Sequence, residues 1–351
     1  MDLHTLFQHP IIQGPMAGGA CTPALVAAVS NSGALGSLPA SLFTPEIMQA
    51  RIEQVRELTG RPFLVNLFVQ RTPQPTPDEL AHAVALLQPV WSTLGWTDLP
   101  LPQRWCEDFE AQFEVLIATR PACASFTFGI LSVQQVARLH AAGIFVIGTI
   151  TTVEEALAWQ AVGADAVVAS GIESGGHRGT FIGAQQDATL TGAQLLPLVV
   201  SKLTIPVIAA GAIMDGFDIA RALALGAAAV QMGTAFLVTD EAAIHPAYKQ
   251  RLLEAGRDPE KNPTRLTRAF SGRYARGLDN RFMQTMAAVE SQVPAYPVQN
   301  ALTGSIRAAA AKSGDTEWMS LWAGAGVGRA RGMAAGALVA TLVAEMQAAT
   351  R

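Results

Sequence analysis

The segment Gly171–Gly179, GIESGGHRG, sets one histidine among glycines. Gly175, Gly176 and Gly179 flank His177 and free the backbone to place an imidazole over a bound ligand. An imidazole with an ordinary pKa near ~6.5 moves protons well at neutral pH. His4, His9, His82, His140 and His245 have no such setting and read as structural. Glu173 and Arg178 carry no separate chemical warrant, so a solvated or salt-bridged role is expected of each. Two further clusters suit a phosphate. In AAGAIMDG (Ala209–Gly216) and QMGTAF (Gln231–Phe236), glycine lets backbone amides approach a ligand, and the Thr234 hydroxyl can donate to a phosphate oxygen. Asn66 ends an apolar run, where an amide can bond a heteroaromatic edge or a ribityl hydroxyl.

These residues stand at the ends of short apolar runs. The runs are Pro10–Met16, Ala34–Leu38, Pro62–Phe68, Ala124–Gly129, Phe145–Ile150, Asp165–Ser170, Pro206–Gly211 and Ala228–Gly233. Helical patterns separate them. Thr22-Pro23 and Thr44-Pro45 are cap-plus-proline starts, the second helix running to about Thr59 with Gly60 as its stop. Ser132 caps a helix to Ala142, and Thr152-Val153-Glu154-Glu155 has the form of a capping box. Further helices are expected at Ala193–Leu203 and Asp215–Leu225. Near-continuous apolar strands fit a parallel sheet covered by helices. The class is α/β, and the count fits a (β/α)8 TIM barrel with a smaller helical substrate domain; a doubly wound open sheet is the structural alternative. The barrel is expected over residues 1–238. Residues 70–121, rich in proline and holding Trp91, Trp96 and Trp105, form an elaborated connection with helices at Pro77–Leu87 and Asp108–Thr119. Residues 239–309 form a small helical substrate or lid domain, and 310–351 pack back on the barrel with a helix at Ala335–Ala348.

Composition excludes several classes. The 351 residues carry a formal charge of −4, half are hydrophobic and 15% are charged. This composition builds a large core and disfavours disorder, and no basic face for nucleic acid or anionic lipid is evident. Cys21, Cys106 and Cys123 are widely spaced, without zinc-ligand spacing, and read as buried free thiols of a cytoplasmic protein. No metal site is expected. No signal peptide or membrane span is read.

Taken in order, the motifs resemble the nitronate monooxygenase family, formerly 2-nitropropane dioxygenases, most like its class I bacterial members. The likeness covers nearly the whole chain. PIIQGPM resembles P-x-x-x-A-P-M with Gly14 for alanine, NLF at Asn66–Phe68 the second motif, SFTFG at Ser125–Gly129 the third, and GIESGGHRG the fourth with Ser174 for alanine. The resemblance implies a flavin mononucleotide (FMN) barrel. It implies cofactor contacts at Pro15, Met16, Asn66, Ser170, Gly175, Gly211, Ala212, Gln231, Met232, Gly233 and Thr234, and substrate contacts at Phe128 and Tyr296. Gly211-Ala212 replaces a usual Gly-Gly, which backbone contacts tolerate if the Ala212 φ is negative. WAGAG (Trp322–Gly326) has Ala325 for a usual glutamine, and Asn300 stands where some members carry a second tyrosine.

The implied reaction is FMN-dependent oxidation of alkyl nitronates such as propionate 3-nitronate by O2, without NAD(P)H, giving a carbonyl compound and nitrite. His177 is the implied base for a neutral nitroalkane, or a hydrogen-bonding group for the anion. Expected partners are the nitronate or nitroalkane and O2; a homodimer is left open. The competing readings are an FMN-dependent NAD(P)H:quinone or enoyl-thioester reductase on the same barrel, a phosphorylated-metabolite isomerase, and a flavin-carrying scaffold without turnover.

Overall fold

The structure is a computed structural model that describes residues 2–258, 260 and 262–350. In chain order the strands are β1 (Ile11–Gln13), β2 (Gly36–Pro39), β3 (Phe63–Phe68), β4 (Cys123–Thr127), β5 (Phe145–Ile150), β6 (Ala166–Ser170), the two-residue β7 (Gly176–His177), β8 (Val207–Ala210), β9 (Ala229–Met232), β10 (Thr264–Thr267) and β11 (Ala275–Leu278). Eight of them pair in parallel in the order β1-β9-β8-β6-β5-β4-β3-β2. A parallel bridge between Ile12 and Leu35 closes the ring, and the Gln13 amide donates to the Leu35 carbonyl at 2.9 Å. The fold is therefore a (β/α)8 barrel, and the open-sheet alternative is excluded.

Between and after the strands run α1 (Pro23–Asn31), α2 (Pro45–Leu58), α3 (Pro77–Leu86), α4 (Gln88–Trp91), α5 (Phe109–Thr119), α6 (Val133–Ala141), α7 (Val153–Ala161), α8 (Gly192–Val200), α9 (Gly216–Ala224) and the short α10 (Thr234–Leu237), of which α3 and α4 leave the barrel for a second core. Beyond them lie α11 (Pro246–Arg257), α12 (Arg281–Met286), α13 (Val298–Leu302), α14 (Gly304–Ser313) and α15 (Ala335–Ala349). Local chemistry starts them where the sequence implies. Thr22, Thr44 and Ser132 accept the amides of Leu25, Ile47 and Gln135, and Pro23 and Pro45 occupy first helical positions. Each such cap contributes about 1 kcal/mol.

The capping box expected at Thr152 forms only in part. Thr152 Oγ1 accepts the Glu155 amide at 3.3 Å. The Glu155 carboxylate turns inward instead and is fully buried. It accepts from the Thr151 amide at 2.6 Å, the Thr151 hydroxyl at 2.9 Å, the Ile182 amide at 3.0 Å and the Phe181 amide. A buried carboxylate is stable only with its oxygens satisfied, and this loop supplies the donors.

Two of the three apolar cores share Met16 and Ala330 at their edges. The larger packs the strands against the surrounding helices, from Leu25 and Ile52 through Trp159 to Leu338 and Leu342 of α15. The second gathers Leu252, Phe270, Phe282, Met286, Leu302, Ile306 and Trp318, and also Leu87, Val90 and Leu99. The Pro-rich connection is thus shared: Phe109, Phe113 and Leu116 belong to the barrel core, and its earlier half packs on the second core. Residues 239–309 are not purely helical. β10 and β11 form a hairpin, and β11 pairs antiparallel with β7, setting Ala275 opposite His177. Strands this short and polar leave little alternation to read. Among the described residues, no helix is long and apolar enough to cross a membrane. Cys21 and Cys123 are buried as expected, but Cys106 is half-exposed beside Thr72.

Candidate active site

A cavity of about 700 Å³ opens at the C-terminal ends of the barrel strands. Every site residue expected from sequence lines it: Pro15 and Met16 after β1, Asn66 on β3, Phe128 after β4, Ser170 on β6, Gly175 and His177, Gly211 and Ala212 after β8, Gln231 to Thr234 at β9, and Tyr296 from beyond the barrel. Among the described residues, no aspartate or glutamate lines it.

His177 is held from the hairpin side. Its Nε2 lies 2.9 Å from Ser271 Oγ, and that hydroxyl donates to the Arg273 carbonyl at 3.0 Å. With its proton on that carbonyl, Ser271 is placed to accept from an Nε2–H, the tautomer that leaves Nδ1 its lone pair. Aromatic rings box the imidazole, with centroids at 5.3 Å (Trp322), 5.7 Å (Phe128) and 5.8 Å (Tyr296). Burial, together with the positive charges of Arg273 and Arg307, pushes its pKa down to about 3. The imidazole is neutral at ordinary pH.

Phe128 adopts a left-handed conformation, with φ of 78°. The Arg273 guanidinium holds its ring in place from 4.2 Å. The same arginine donates to the Arg178 carbonyl at 2.8 Å and to the Thr180 carbonyl. The segment after His177 is therefore gripped on both sides, its carbonyls by Arg273 and its amides by Glu155.

The other end of the cavity is a cradle of backbone. Gly211 has φ of 128° and Ala212 φ of 51°. The negative φ expected of Ala212 is thus not observed. The C-terminal segment imposes the left-handed form: Arg329 Nη2 donates to the Ala212 carbonyl at 2.9 Å, and Gly326 packs against the same residue. That conformation costs an alanine about 1 kcal/mol. The Ala212 and Ile213 amides have no protein acceptor among the described residues. Thr234 Oγ1 accepts the Gly324 amide at 2.9 Å, which leaves the hydroxyl proton free to donate. Asn66 Nδ2 is committed to Ser125 Oγ at 2.9 Å and the Ser125 carbonyl at 3.2 Å, so Oδ1 is the atom left for a ligand. The Ser170 hydroxyl points to Ser174 Oγ at 3.0 Å.

Glu173 and Arg178 are neither solvated nor salt-bridged to any described residue. Glu173 Oε1 accepts the Gly192 amide at 2.7 Å. Arg178 is buried and donates to the carbonyls of Ser170, Gly171 and Ala188 at 3.1, 2.6 and 3.1 Å. Both tie the histidine loop to its neighbours. His245 lines the cavity too, and its Nδ1 accepts the Ala247 amide at 3.2 Å at the start of α11. Sequence reasoning missed Ser271, Arg273 and Arg307, because each acts from outside the barrel. The stretch SGRYARG (Ser271–Gly277) carries a weak signal, two arginines in a hairpin of small residues.

Comparison with known proteins agrees with this geometry. A family model described as nitronate monooxygenase matches residues 2–345. A probable nitronate monooxygenase of Staphylococcus haemolyticus is 42% identical over 90% of this chain and 88% of its own length. The crystal structure of a nitroalkane oxidase from Streptomyces ansochromogenes superposes with a TM-score of 0.91 at 43% identity, covering 99% of this chain and 98% of that one. FabK from Thermotoga maritima is more distant, with a TM-score of 0.74 at 29% identity over 99% of this chain and 95% of its own. The barrel, the histidine motif and the match along nearly the full length converge: this chain belongs to the nitronate monooxygenase family and is an oxidoreductase.

Proposed function

We propose that the chain binds FMN in this cavity and oxidises alkyl nitronates such as propionate 3-nitronate with O2, without NAD(P)H, to a carbonyl compound and nitrite. The observation that carries the reading is one cavity with two ends. A neutral imidazole in an aromatic box faces one end, and a carboxylate-free cradle of unbonded amides forms the other.

The residues present fit FMN. The Ala212 and Ile213 amides and the Thr234 hydroxyl suit a phosphate dianion. Asn66 Oδ1 suits a ring N–H, and Met16 and Gly233 offer low walls against which a flat ring can lie. Bound FMN would supply the redox chemistry that links the electron-rich nitronate to O2. The protein's own part is to bind, orient and shield. Phe128, Tyr296 and Trp322 exclude water around His177. Neutral His177 adds no charge against the anion, and its Nδ1 lone pair can take the α-proton of a neutral nitroalkane.

The test is O2 uptake by purified protein with propionate 3-nitronate and no NAD(P)H, after its visible spectrum is recorded. A flavin spectrum with rapid uptake is expected. A flavin spectrum without uptake, and bleaching by NAD(P)H under anaerobic conditions, would replace this reading with the reductase.

A further inference from the structure

Arg307 is the one arginine or lysine that lines the cavity among the described residues. It stands on α14, in the sequence Gly304-Ser305-Ile306-Arg307-Ala308. A guanidinium has five N–H donors. Among the described residues only Nη2 finds a partner, donating to the Asn300 carbonyl at 2.7 Å and to Asn300 Oδ1 at 3.1 Å. Nε is buried without a partner. Among the described residues, no carboxylate forms an ion pair with it, and the group that favours its charge is the Tyr296 phenol. Burial brings its pKa down to about 10, so it stays a cation at neutral pH.

Arg307 is half-buried, and a partly desolvated cation without a counter-ion is disfavoured, so a ligand that brings an anion relieves that cost. The phosphate cradle lies elsewhere, at the ends of β8 and β9. Arg307 belongs to the His177 side: its charge acts on His177, its partner Asn300 lies on α13, and Tyr296 just before α13 has its ring 5.8 Å from His177. This is where the distal part of a substrate would rest while its reacting end faces the imidazole.

We infer that Arg307, with Asn300 and the Tyr296 hydroxyl beside it, is a docking subsite for a second anionic group of the substrate, a carboxylate at the end of the nitronate's carbon chain. The inference rests on the nitronate reading above and adds its specificity determinant. Arg307 binds the tail and takes no part in the electron transfer. A guanidinium receives a carboxylate through paired N–H donors, a geometry that lysine reproduces only as a point charge.

The test compares propionate 3-nitronate with propyl-1-nitronate, which carries a methyl group in place of the carboxylate, in the wild type and in Arg307→Met and Arg307→Lys. In Arg307→Met the ratio of kcat/KM for the two substrates is expected to fall by about tenfold or more, chiefly through KM, with partial recovery in Arg307→Lys. A proportional loss on both substrates, or an unchanged ratio, would overturn the subsite. Quenching of tryptophan fluorescence by succinate and by butyrate reads binding directly. Succinate is expected to bind more tightly than butyrate in the wild type and to lose that advantage in Arg307→Met. If the wild type oxidises neither nitronate, the nitronate reading fails, and the titration alone decides the subsite: a succinate preference retained in Arg307→Met overturns it, and one that is lost supports it.

Discussion

Gly324 crosses Gly175 so closely that a methyl group on Gly175 would lie 2.4 Å from the Gly324 amide nitrogen. The Ala325 amide donates to the Glu173 carbonyl at 3.0 Å, and the Gly324 amide to Thr234 Oγ1 at 2.9 Å. The WAGAG segment thus fastens the histidine motif to the phosphate cradle. Gly175→Ala forces backbone apart and is expected to cost about 1–3 kcal/mol. Urea unfolding measures this, and flavin content after purification should fall with it.

His177→Asn removes the base and keeps a polar side chain of similar reach. Turnover of a neutral nitroalkane is expected to drop by about a hundredfold or more, and that of the preformed nitronate by less. Oxygen uptake on both substrate forms decides. Full turnover on both would end the assignment of His177.

The low pKa of His177, at about 3, also has a sign. The imidazole is already neutral across the working range, so its protonation gives kcat/KM for a nitronate no acid limb between about pH 5 and 8. Arg273→Gln removes a nearby positive charge, so the pKa rises and an acid limb moves up toward that window. Paired pH profiles carried down to about pH 3 test this, and an acid limb that stays in place would rule out the coupling. Stability follows the same sign. The unfolded chain takes up a proton below about 6.5 that native His177 refuses, so this contribution is lost as pH falls from there toward 3.

Glu155 is fully buried, and its carboxylate gathers donors from Thr151, Phe181 and Ile182. Glu155→Gln replaces one acceptor oxygen by an amide that faces donors. A loss of about 1–3 kcal/mol is expected. A thermal melt reads it, and an unchanged Tm would show that the loop holds without the charge.

Thr234→Val removes the hydroxyl and leaves the Gly324 amide without its acceptor. FMN affinity is expected to weaken by about tenfold, the worth of one hydrogen bond to a charged group. Titration of the apoprotein, followed by quenching of FMN fluorescence, gives the ratio directly.

The barrel was legible because its rules are local. Apolar runs bounded by glycine, and helices opened by Thr-Pro or serine caps, repeat down the chain; six of the eight barrel strands fall inside the expected runs, and β2 and β4 overrun theirs by one residue each, Pro39 and Cys123. The second core was less legible. Leu87 and Val90 share one core with Phe282 and Leu302, residues far apart in the chain whose association no periodicity announces. The β10–β11 hairpin escaped notice because its strands are short and its pairing with Gly176-His177 is non-local.

The sequence by itself determined the α/β barrel, the order of its motifs and the histidine among glycines, since each follows from local propensity and residue type. Only the tertiary structure decided that Ser271 orients His177, that Arg273 and Glu155 grip the segment after it, that Ala212 is held left-handed, and that Arg307 reaches the cavity without a carboxylate partner among the described residues. The physical reason is that these are properties of charge and burial in three dimensions. A pKa, an unpaired guanidinium or a strained φ depends on which distant groups are brought near and how much water they displace, and neither is fixed by a residue's neighbours in the chain.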